Sequence, residues 1–124
     1  MDQKYIKGDI VIYNNKIHII MDTLGVNYYE LSYVEHSVHQ LEISGTPLTL
    51  EILKKNGWKK KMYCDWCYYL PIEGNLLYLA KGTGIDGAFS ACVGQGMSNI
   101  ASISFVHQLQ HLLFGLGLNS EIEV

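Results

Sequence analysis

The sequence predicts an α+β fold: a strongly bent, open-barrel-like antiparallel sheet with a short middle helix and a C-terminal amphipathic helix. Three observations carry that expectation. Residues 9–43 contain four short apolar or alternating runs separated by polar turn residues, the spacing of a small antiparallel sheet. Residues 49–57 read as a capped helix of about two turns. Residues 105–116 repeat apolar side chains with the helical period. At 124 residues and 48% hydrophobic, the chain is expected to form a single domain over residues 1–124 with its own core.

Each element follows from local chemistry. Asp9-Ile-Val-Ile-Tyr13 is apolar, Asn14-Asn15 is a turn able to take positive φ, and Lys16-Ile-His-Ile-Ile20 alternates, which together predict a hairpin. Residues 28–34 and 38–43 read as two further strands on either side of the polar Glu35-His36-Ser37 break. Thr49 caps the middle helix, Glu51 lies in its first turn, Lys54 and Lys55 lie in its last, and Gly57 stops it. Residues 58–80 are aromatic and β-prone, with a turn at Glu73-Gly74-Asn75, and predict a second hairpin. Residues 88–93 read as a short strand between glycine-rich loops. In the last helix Phe105, Val106, Leu109, Leu112, Leu113 and Leu116 form the stripe expected to face the core.

Composition excludes several functions. The net charge of −3, with all 9 cations lysine, argues against a protein held on nucleic acid by bulk electrostatics and removes the side chain best suited to bidentate phosphate contacts. Five of those lysines, Lys54, Lys55, Lys59, Lys60 and Lys61, flank Trp58, but a helix end and a strand edge account for them. Nucleic acid is not an expected partner. The apolar stretch 100–118 is interrupted by His107, Gln108, Gln110 and His111, so no membrane span is expected, and no secretion signal is read at the start. Three cysteines are too few for a disulfide scaffold and read as thiols in a reducing cytoplasm. No cofactor is expected. The scattered Asp residues and the lack of a nucleophile elbow argue against an enzyme.

Two motifs offer alternatives. Gly82-Thr-Gly84-Ile-Asp-Gly87 matches GxGxxG, but the glycines that follow and the lack of an acidic residue about 20 positions on exclude a Rossmann site. A loop over residues 81–96 with Lys81, Gly82, Thr83, Gly84 and Gly87 would still offer N–H groups to phosphates, with Tyr78 to stack on a base. That reading makes the protein a sponge for a small nucleotide signal. Cys64, Cys67, His107 and His111 have the ligand types of a zinc module. Against it stand the 39-residue gap between the pairs and the strand alternation that sends the two cysteines to opposite faces.

Three stretches, Gly8-Asp-Ile-Val-Ile-Tyr-Asn-Asn-Lys16, Pro47-Leu-Thr-Leu-Glu-Ile-Leu-Lys-Lys-Asn-Gly-Trp58 and Phe105-Val-His-Gln-Leu-Gln-His-Leu112 followed by Gly115, resemble a family of small phage- and prophage-associated proteins of gut Bacteroidetes. The resemblance implies an accessory protein in the cytoplasm of an infected or lysogenic host, which obstructs a host protein, such as a defence enzyme, or sequesters a host signal. It implies no catalytic residues, and the family has an Asn-like position where His111 stands. The residues themselves point to a surface. On a helical wheel His107, His111, Phe114 and Leu118 fall away from the core stripe, forming a candidate contact patch for a host protein or a second copy of this chain.

Overall fold

The computed structural model describes residues 4–60, 67–72, 75–81, 89–93 and 98–124. It shows an α+β protein with two open antiparallel sheets and two helices. The strands divide between two five-stranded sheets rather than forming one bent sheet. The contacts group into two compact units, Met1–Pro47 with Phe105–Glu121 and Leu48–Ser104 with Ile122–Val124.

The first unit holds β1 (Ile10–Tyr13), β2 (Lys16–Leu24), β3 (Tyr28–Leu31), β4 (Val38–His39) and β5 (Ile43–Gly45), in the order β4-β3-β2-β1-β5. Asn14 and Asn15 both take positive φ, 52° and 63°, as a two-residue hairpin turn requires, and they fix the pairing Tyr13↔Lys16, Val11↔His18 and Ile10↔Ile19. One face then carries Val11, Ile20, Tyr29, Leu31, Val38 and Ile43, which cluster with Tyr5 as the core. The strand expected over 38–43 is interrupted by a single 3-10 turn, Gln40–Glu42. The His39 ring causes the break: its Nδ1 accepts the Leu41 N–H at 3.1 Å, a local bond that competes with strand pairing.

The second unit begins with α1 (Leu50–Lys55). Thr49 Oγ1 accepts the Ile52 N–H at 3.3 Å, and Gly57 ends the helix at φ 87°. The tail docks on this helix end: Asn56 Oδ1 accepts the Glu123 N–H at 2.8 Å, and its Nδ2 donates to the Glu123 carbonyl at 2.7 Å. Then follow β6 (Lys59–Lys60), β7 (Cys67–Ile72), β8 (Asn75–Lys81), β9 (Phe89–Val93) and β10 (Ser98–Ile103), each paired with the next. The predicted hairpin is β7–β8, whereas β10 covers residues for which the sequence predicts no element. The register puts Tyr69, Tyr78 and Cys92 on one face and Tyr68, Leu77, Leu79 and Ala91 on the other. Tyr68, Tyr78, Leu77, Leu79, Ala91 and Cys92 are all buried.

The last helix, α2 (Val106–Gly115), belongs to the first unit and departs from the expected orientation. It buries Val106, His107, Leu109, Gln110 and Leu113, while Phe105 and Leu116 are exposed. Gln110 explains the rotation. Its Oε1 accepts the Ile10 N–H at 2.9 Å and its Nε2 donates to the Gly8 carbonyl at 2.9 Å, so one amide satisfies two backbone groups at the entry to β1. We expect Gln110→Ala to lower unfolding free energy in urea by about 2 to 3 kcal/mol, because it leaves a buried N–H and a carbonyl unpaired. A loss within the error of a surface substitution would show that water replaces the amide.

Candidate functional site

Two features of the first unit stand out. The first is the cluster where α2 meets the start of β1. Asp9, 2% exposed, accepts a forked hydrogen bond from His111 Nε2 at 2.8 and 3.0 Å, and its Oδ2 accepts the Ile6 N–H at 2.9 Å. Burial raises the Asp9 pKa above the ordinary value, against the lowering effect of the Ile6 N–H and of His111. One turn earlier on α2, His107 is 5% exposed, and its Nδ1 has no hydrogen-bond partner among the described residues.

His107 is held by rings. Phe105 stacks on it at 5.8 Å, and Tyr5 and His111 meet it edge-on at 5.0 and 5.7 Å. Gly45 makes room for this arrangement, since a Cβ there would lie 2.8 Å from the Phe105 ring and 3.0 Å from His107 Cε1. Burial lowers the His107 pKa to about 4, and the charges of His111 and Lys4 push the same way. The cluster is therefore built around a neutral imidazole. It locks the helix to the strand.

The second feature is the sheet face turned away from the core. On the central strand β2, Ile17, Ile19 and Met21 are 50%, 44% and 48% exposed. Within Lys16-Ile-His-Ile-Ile20 the buried residue is Ile20, and His18 shares its side. A bulge between Ile20 and Asp22 then resets the alternation, so that Asp22 stands opposite Glu30 and Leu24 opposite Tyr28, all four exposed. Ile12, paired with Ile17, extends the strip onto β1. A shallow depression of about 380 Å³ lies at the hairpin tip, lined by Tyr13, Lys16, His18 and His36 among others, with His18 Nδ1 2.8 Å from the Ser32 carbonyl.

The residues singled out from the sequence fare unequally. His107 is buried, against its expected exposure, because the rotation of α2 that seats Gln110 carries it inward; His111 is partly exposed, Phe114 is 70% exposed and Leu118 is partly buried. Tyr78 belongs to the core of the second sheet with Cys67 and Cys92, so its ring is not the open stacking platform the nucleotide reading requires. Lys81 is the last residue of β8, and Gly82, Thr83, Gly84 and Gly87 lie outside the described residues. For the zinc reading, Cys64 lies outside the described residues, Cys67 is buried, and the His111 ring is engaged by Asp9. Among the described residues no three His, Cys, Asp or Glu side chains gather as metal ligands, and no helix is long and apolar enough to cross a membrane.

Sequence reasoning missed Asp9, Tyr5 and Gly45, which complete the first cluster, and the strip on β2. The strip had a signal in the run Ile10 to Tyr13, whose apolar residues occupy both faces of a strand. Comparison of the chain with protein-family models, with curated proteins and with solved structures finds no match in any of the three.

His107 gives a testable pH dependence. Its folded pKa of about 4 lies below the ordinary 6.5, so the unfolded chain takes up this proton first, and the stabilisation is complete above 6.5 and lost as pH falls toward 4. Asp9 acts in the opposite sense: its contribution weakens as pH rises above 3.8 through its raised folded value. Between pH 7 and pH 5 the His107 contribution falls by about 2 kcal/mol. In urea melts the wild type should lose that much more stability over this interval than His107→Phe; equal losses would contradict a buried neutral imidazole.

Proposed function

We propose that this protein is a non-enzymatic binding protein that acts by contact with another protein. The observation that carries the reading is the row of half-exposed Ile17, Ile19 and Met21 on the central strand, continued by Leu24 and Tyr28. Contiguous apolar surface of this kind is costly for a chain to leave wet and typically marks an interaction site. Phe114, 70% exposed on α2, is a second apolar contact of the same unit. The resemblance of the three sequence stretches supports a phage or prophage accessory protein working in the host cytoplasm, with a host protein, for example a defence enzyme, as the obstructed partner.

Co-purification from host extract with wild type, Ile19→Asp and Phe114→Asp tests the reading, with circular dichroism confirming each fold. We expect one partner, identified by mass spectrometry, to be retained by wild type and reduced at least tenfold by Ile19→Asp. Equal recovery with Ile19→Asp would remove the β2 face from the account, and loss with Phe114→Asp alone would move the contact to α2.

A further inference from the structure

The exposed face of the first sheet carries charge as well as apolar surface. The bulge turns Asp22 outward directly opposite Glu30, which sets two carboxylates side by side within the apolar strip. Like charges on opposed positions destabilise a sheet. Asp22 Oδ1 accepts the Thr23 N–H at 2.8 Å, and among the described residues no ion pair reaches either carboxylate. No lysine of the five strands stands on this face: Lys16 pairs with Tyr13, on the core side. His39, across from Tyr28, is engaged by that ring at 4.9 Å and by the Leu41 N–H.

We propose that this face takes a basic amphipathic segment of a partner protein, with apolar side chains on Ile17, Ile19, Met21 and Leu24 and a Lys or Arg between Asp22 and Glu30. The inference rests on the binding-protein reading and adds the chemistry of the partner. Charge complementarity selects the occupant. A second copy packed face to face presents the same patch twice, bringing two more carboxylates and no cation. Residues 17–24 run about 23 Å at 3.3 Å per residue, the length of about four helical turns, so an amphipathic helix spans the strip.

The test uses a 16-residue Leu/Lys amphipathic peptide and its Leu/Glu counterpart, labelled for fluorescence anisotropy against the full chain, with sedimentation of the chain alone. We expect the Lys peptide to bind at least tenfold tighter than the Glu peptide. Binding should weaken about fivefold in Asp22→Asn/Glu30→Gln and at least tenfold in Ile19→Asp, and stay unchanged in Tyr33→Asn, an exposed position off the face. Should Ile19→Asp fail to fold, Met21→Gln reads the same contact. Equal affinity for both peptides, or full binding by the neutralised double variant, would overturn the basic partner and leave the apolar face standing. Binding that ignores Ile19 and Met21, or no binding of either peptide, would overturn the site itself. A dimer that Ile19→Asp dissociates would assign the face to a second copy and overturn the proposal.

Discussion

The register of β1 against β2 decides what the first unit hides and what it presents. Asn14 and Asn15 hold that register through two left-handed residues, and a slip of one position would exchange the faces of the strand. With Val11 opposite His18, the core receives Val11 and Ile20, and the remaining isoleucines of the hairpin go to the other side. The apolar strip is thus a consequence of the turn and of a sequence that supplies hydrophobic residues to both faces. The bulge at Met21 adds the acid pair, because without the extra residue Asp22 would point with Ile20 toward the core.

The other side of the sheet and the start of β1 are secured by polar groups that are buried because they are satisfied. Gln110 pairs with Gly8 and Ile10, and Asp9 pairs with Ile6 and His111. Removing either would leave backbone donors or acceptors without water, which is why a helix with six apolar residues in its expected stripe seats itself on a glutamine and a histidine. His107 follows that rotation and stays neutral among Phe105, Tyr5 and His111. This cluster holds the helix in place, while Ile17, Ile19 and Met21 on β2 stay half-exposed.

Much of the fold was legible because local rules and tertiary packing agree there. The Asn-Asn turn, the Thr49 cap, the stop at Gly57 and the β7–β8 hairpin all lie where residue chemistry puts them. The failures have physical causes. The 3-10 turn depends on one imidazole accepting an N–H two residues on, and β10, Ser98-Asn-Ile-Ala-Ser-Ile103, lacks a period-two pattern and forms by pairing with β9. The apolar period of α2 does not reveal its orientation, which is set by a glutamine with two backbone partners 100 and 102 residues away in sequence. Of the candidate site, the exposed Phe114 was legible; the β2 strip was not, because alternation within one strand does not say which face is covered.

The decisive question is whether the face around Ile19 meets another protein in the cell. A photo-crosslinking amino acid at position 19, with position 33 as the reference, measures this directly when the attached peptide is sequenced. We predict a crosslink from position 19 to a Lys- or Arg-bearing amphipathic segment of a different protein, and none from position 33. A position 19 that captures nothing, or captures only this same chain, would contradict it.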